Sequence, residues 1–170
     1  MRFLELKKRV GECIKHGDFT MSSGQKTKWM CDLLECRDLF PYFMEELGLT
    51  NPHGLFGMET GGYLLAREVD TRLQESKNKA ELGISLIRKT GELYLGQNSY
   101  VTSGGSNMSV RIIDDVVSTE KTFSLAIDVL NKNKINGGRT FYAVLDRRAK
   151  KDVTLKVTSL FTPQDFGLKP

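Results

Sequence analysis

Between Val110 and Leu130 the apolar residues change period, and that change constrains the fold more than any other feature of the chain. Val110, Ile112 and Ile113 form a short β-branched run, after which Phe123, Ala126, Ile127 and Leu130 recur at i, i+3, i+4 and i+7. The segment therefore reads as strand, loop and amphipathic helix. Its loop carries the adjacent acids Asp114 and Asp115, then Ser118, Thr119 and Thr122. Free N–H groups in a first helical turn, with the positive end of the helix dipole behind them, receive a phosphate dianion, and the hydroxyls add donors. Carboxylates repel phosphate, but their acceptor-only oxygens suit the vicinal hydroxyls of a sugar, directly or through magnesium and its waters. Two acids in such a turn also commonly do no more than end a strand and cap a helix.

The rest of the chain alternates in the same way. Periodicity and turn residues predict a helix over 3–15, a small β-ribbon within 17–29, and a helix over 38–47 closed by Gly48. A buried strand over 54–56 and a helix over 63–68 follow, the helix running into a charged link over 71–81. Further strands are expected over 84–88, 141–146 and 153–160. Residues 90–108 are rich in Gly, Ser and Asn without sustained period, and loops of that length in compact domains are often functional. The order implies an α/β fold, a doubly wound, mostly parallel sheet flanked by helices, with ligands at the carboxyl ends of the strands. With no internal repeat and no second boundary, 1–170 is expected to be one domain.

Composition adds exclusions. A chain of 170 residues buries roughly 70% of the surface it exposes when unfolded. No run approaches the ~18 apolar residues of a membrane span. MRFLELKKRV places charges where a signal peptide needs its apolar stretch, so a cytoplasmic protein is expected. Cys13, Cys31 and Cys36 are odd in number and lack a second metal-type pair; they read as reduced thiols, and zinc is not expected. The net charge of +4 is dispersed, with KKR at 7–9 and RRAKK at 147–151 as its compact clusters. Such clusters are usually solvated faces; the surplus suits a polyanionic small ligand, and neither membrane nor nucleic acid is an expected partner.

Gly57-Met58-Glu59-Thr60-Gly61-Gly62 lets backbone amides approach an anion closely, and Thr60 adds a hydroxyl. By itself the pattern equally describes a strand-to-helix turn.

DDVVSTEKT at 114–122 resembles the phosphoribosyl pyrophosphate signature of the type I phosphoribosyltransferases. Four other segments match in the same order and point to the orotate phosphoribosyltransferases. HGDFTMSSGQKTKW, at 16–29, is similar to their N-terminal run, and LFGMETGGYLLA, at 55–66, to their pyrophosphate loop. SLIRK at 85–89 looks like the strand entering their mobile catalytic loop, and AVLDRR at 143–148 like their base-contacting Asp-Arg pair. The resemblance implies an N-terminal hood over 1–35 and a mobile loop over 90–108. It implies transfer of phosphoribosyl from phosphoribosyl pyrophosphate to orotate, with Mg2+, in a homodimer. Arg88, Lys89 and Asp115 would act in catalysis. Asp114, Asp115, Val117, Ser118, Thr119, Thr122, Thr60, Gly61, Lys26 and Arg147 would bind substrates, Arg147 facing the base's carboxylate. No residue is expected to be a dedicated metal ligand; magnesium would arrive with phosphoribosyl pyrophosphate and touch Asp114 or Asp115. Trp29 and Met30 would wall the base pocket or serve as core.

The chain departs from the family pattern at several places. Glu120 stands where glycine is usual, and its charge must turn to solvent or pair with Lys121 or Lys28. Ser22 replaces a common lysine, and Gly61 sits at about the place where many members carry lysine or a small residue. Glu92, Leu93, Tyr94 and Leu95 occupy the region where the family's further loop lysine and histidine belong. Two other functions stay open: transfer to another base, and a non-catalytic regulator that senses phosphoribosyl pyrophosphate or binds RNA.

Overall fold

The computed structural model of the chain describes residues 1–21, 24, 26–49, 54–75, 84–96, 109–148 and 154–169, with the side chains of 69–75 excepted. Five strands, β3 (Leu55–Met58), β4 (Ile84–Ile87), β6 (Ser109–Val117), β7 (Gly138–Asp146) and β8 (Val157–Phe161), lie parallel, and β5 (Leu93–Tyr94) pairs antiparallel with β4. The order across the sheet is β5-β4-β3-β6-β7-β8. Strand order reverses direction on either side of β3 and β6, which sets a crevice at their carboxyl ends.

Both faces of this sheet are covered, as parallel strands require. Successive residues of β6 divide between the layers, Ile112 into one apolar cluster and Ile113 into the other, because side chains alternate across a strand. Helix α4 (Lys121–Lys132) packs Phe123, Ala126, Val129 and Leu130 into the first cluster, the Phe123 ring 5.0 Å from that of Phe141. The second is formed by α1 (Phe3–Glu12), α2 (Phe40–Glu46) and α3 (Gly61–Glu75) with the 3₁₀ segment Leu33–Leu39. Outside the main sheet, β1 (Ile14–Thr20) and β2 (Lys26–Cys31) form an antiparallel ribbon.

Several expectations change. The first helix stops at Glu12, and Ile14 and Lys15 enter β1, where Ile14 pairs with Cys31. Helix α3 continues through the first part of the charged link, to Glu75. Most importantly, β6 runs on to Val117, so Asp114 and Asp115 lie inside a strand and not in a turn. Parallel pairing with β7, Asp114 opposite Ala143 and Val116 opposite Leu145, overrides the weak strand preference of aspartate. The cysteines are also corrected: Cys13, after α1, and Cys36, in the 3₁₀ segment, are joined as a disulfide, and only Cys31 is a free thiol. Their separation in sequence hid this pairing. Ser22, most of the charged link and residues 97–108 of the expected mobile loop lie outside the described residues. Among the described residues no helix is long and apolar enough to cross a membrane.

Candidate active site

The carboxyl ends of β3, β4, β6 and β7 open into one cleft of about 410 Å³. Thr60 and Gly61 enter it from the β3–α3 turn, Lys89 from the end of β4, and Asp114 and Asp115 from β6. Ser118, Thr119 and Thr122 line it at the start of α4, and Arg147 closes it beyond β7. Nine of the twelve expected site residues thus meet in one place. The other three do not line it. Val117 is fully buried, and its carbonyl accepts from the Arg147 N–H at 2.7 Å. Arg88 turns outward, its guanidinium 3.4 Å from Glu92 and 5.0 Å from the centre of the Tyr94 ring. Lys26 lines a separate hollow with His16, Lys28 and Trp29.

The acid pair is asymmetric. Asp114 is only 6% exposed, and its Oδ1 accepts from the Asp115 N–H at 3.0 Å. Burial, then the Asp115 charge, pushes its carboxyl well above the usual carboxylate range. Asp115 is half-buried and leans on the β3–α3 turn, where a Cβ on Gly61 would overlap its carboxylate. A lysine at position 61 has no room beside Asp115 in this arrangement, which explains the glycine there. At the start of α4 no side chain caps the helix, so its first-turn amides are not claimed by a capping oxygen.

Glu120 neither turns to solvent nor pairs with Lys121 or Lys28; Lys28 is bonded to Asp18. Its carboxylate accepts from the N–H groups of Thr154 and Leu155, both at 2.6 Å, from the Thr154 hydroxyl, and from Arg148 Nη1 at 3.0 Å. These bonds, the Thr154 hydroxyl foremost, hold it below the usual carboxylate range. The Glu120 charge is thereby turned away from the cleft.

Arg147 is 6% exposed and meets no carboxylate among the described residues. Its Nη2 donates to Thr27 Oγ1 at 2.9 Å, Nη1 lies 3.4 Å from Met21 Sδ, and the guanidinium sits 3.8 Å from the centre of the Trp29 ring. Burial lowers its pKa. Beside it, burial pushes the Cys31 thiol up to about 12, with Asp115 and Asp32 adding to the rise, so Cys31 is no nucleophile at neutral pH.

Sequence reasoning missed Glu59, Asp32, Met21 and Cys31 as cleft residues. Glu59 had a signal, since it lies inside the glycine-rich turn; its Oε2 accepts from the Lys89 N–H at 3.1 Å and ties β3 to β4. The others arrive from the ribbon, whose placement no local pattern reveals.

No family model matches the chain. An orotate phosphoribosyltransferase of Methanococcus maripaludis is 24% identical over 92% of this chain and 88% of its own length. The solved orotate phosphoribosyltransferase of Aeropyrum pernix superposes with a TM-score of 0.64, at 21% identity over 97% of this chain and 96% of that one. The Leishmania donovani UMP synthase gives 0.69 at 17% identity, the chain covering 98% of itself but 37% of that longer protein. The chain therefore has the fold of the type I phosphoribosyltransferases, and in sequence it is similar to orotate phosphoribosyltransferases.

Proposed function

We propose that this chain is a pentosyltransferase that moves phosphoribosyl from phosphoribosyl pyrophosphate to orotate, giving orotidine 5′-monophosphate and pyrophosphate. The observation that carries the reading is Arg147, a buried guanidinium that meets no carboxylate among the described residues, set across one cleft from an acid pair and an uncapped, hydroxyl-lined helix start. A planar, singly carboxylated base completes the first, and a phosphorylated ribose the second.

In the reaction the C1–O bond to pyrophosphate breaks, its electron pair leaves with pyrophosphate, and a ring nitrogen of the base bonds to C1 through an oxocarbenium-like sugar. The protein's share is positioning and charge. Ser118, Thr119, Thr122 and the α4 amides hold the 5′-phosphate, while Asp114 and Asp115 hold the ribose hydroxyls. Thr60 and the Gly61 backbone face the pyrophosphate with Lys89, and Arg147 holds the base carboxylate. Magnesium fits as an ion brought by the substrate. Among the described residues no three His, Cys, Asp or Glu side chains converge on a metal, whereas Asp115, with Asp114 beside it, offers the one or two carboxylates magnesium takes alongside substrate phosphates. When bound, it neutralises charge on the departing pyrophosphate. The reading includes a cytoplasmic homodimer of one domain, with 1–35 as its hood and 90–108 as its mobile loop.

A second reading, a phosphoribosyl pyrophosphate sensor without turnover, draws on Arg88, whose charge is spent on Glu92 and not on the cleft. Purified protein with orotate, phosphoribosyl pyrophosphate and magnesium separates the two. Catalytic loss of orotate absorbance is expected; binding of phosphoribosyl pyrophosphate without any orotate loss would establish the sensor.

A further inference from the structure

We infer that Trp29 is the positioning residue for Arg147, and that selectivity for a carboxylated base is set by this ring, which does not line the cleft. The inference rests on the orotate reading above and names what holds its key arginine.

Thr27 and Trp29 are two apart on β2 and so share one face of the ribbon. Both meet Arg147: the indole lies against the guanidinium plane at 3.8 Å, and the Thr27 hydroxyl accepts from Nη2 while donating to the Trp29 carbonyl at 3.0 Å. The ring is itself fixed. It is 5% exposed, and its Nε1–H donates to the Lys169 carbonyl at 2.9 Å, so the 167–169 segment holds the ribbon from outside the cleft.

The geometry matters because of where guanidinium keeps its donors. All five N–H groups lie in its plane, and a π face attracts the cation from above without using any of them. A carboxylate in the same place would satisfy Arg147 and compete with the ligand. Trp29 steadies the charge and leaves in-plane donors for an incoming carboxylate, so a base without one gains little here.

The test compares Trp29→Leu, which removes the ring face, with Trp29→Phe, which keeps a smaller aromatic face and loses the bond to Lys169. In steady-state assays Trp29→Leu is expected to raise the KM for orotate about tenfold, equivalent to roughly 1.4 kcal/mol, with the KM for phosphoribosyl pyrophosphate within about twofold. Trp29→Phe should recover most of the orotate KM. Because Trp29 is the chain's only tryptophan, Arg147→Ala should also alter the near-ultraviolet circular dichroism of the ligand-free protein. If orotate is used normally by Trp29→Leu, or both KM values rise together, or the tryptophan signal ignores Arg147→Ala, the inference falls while the orotate reading stands. Failure of the unaltered protein to use or bind orotate would sink the orotate reading, and the inference with it.

Discussion

Arg148 is enclosed by anions, its Nη2 2.7 Å from Asp146 and its Nη1 3.0 Å from Glu120, whereas Arg147, one residue earlier and equally buried, meets among the described residues a ring, a hydroxyl and a thioether. The pKa of Arg148 is raised, by Asp146 first, and that of Arg147 is lowered by burial. A buried charge whose neighbours complete it is part of the scaffold. One left incomplete at the rim of a cleft is poised for a ligand, because an uncompensated charge is tolerated only where something arrives to meet it.

The sharpest way to break the contrast is to remove each arginine in turn. Arg148→Ala leaves Asp146 and Glu120 facing each other without a cation. It should cost about 3 kcal/mol, seen as a fall of roughly 10 °C in a thermal melt. Arg147→Ala should leave the melt unchanged or slightly raised and increase the KM for orotate about 10- to 100-fold, the value of one to two charge-assisted hydrogen bonds. If Arg147→Ala melts as low as Arg148→Ala, the two arginines are alike and the comparison is void.

Arg88 supplies an intermediate case, exposed and paired with Glu92, whose Oε2 also accepts from the Thr90 hydroxyl at 3.0 Å. Glu92→Lys releases Arg88 and adds a cation on the approach to the pyrophosphate. It should raise kcat about tenfold, below the ~10²–10³ of a fully preorganised donor, with little change in KM. An unchanged kcat would show that Arg88 serves only the β4–β5 turn.

Asp114 carries the same lesson with the opposite sign. Its carboxyl binds a proton more tightly in the fold than in the unfolded chain, where it titrates near 3.9. Ionising it therefore costs stability, which is lost as pH rises from about 4 through the raised native value and is not regained above it. Asp114→Asn keeps the acceptor for the Asp115 N–H and removes that slope. Its melting temperature should exceed that of the unaltered protein by ~3 °C at pH 8 and match it at pH 4, while phosphoribosyl pyrophosphate binds about tenfold more weakly. A parallel pH profile for both proteins would mean that the fold does not raise the Asp114 pKa.

Sequence reading recovered what local pattern carries. The β-branched run of β6, the helical spacing of Phe123 to Leu130, and the loops at strand ends all have short-range signatures, and these place most of the cleft. Aspartate's poor strand propensity concealed the extension of β6 through Asp114 and Asp115, since the compensating partner, β7, lies beyond α4. Glu120 bonds to Thr154 and Leu155, Trp29 stacks on Arg147, and Cys13 joins Cys36. Each pairing depends on how distant segments dock, and nothing near those residues in sequence announces it. Arg147 was a candidate through family resemblance; that no carboxylate meets it among the described residues was not legible.

The Glu120 clasp has a consequence for how this chain can vary. Residues 148, 154 and 155 are pinned to the start of α4, so both ends of 149–153 are anchored independently of what lies between them. Closing a longer span between fixed ends is inexpensive, since each doubling of length adds only about 0.6 kcal/mol of entropy. Insertions or wholesale replacement of 149–153 should therefore leave Arg147 where it is. The segment beside Arg147 is a place where new sequence can be tried while the cleft is held constant.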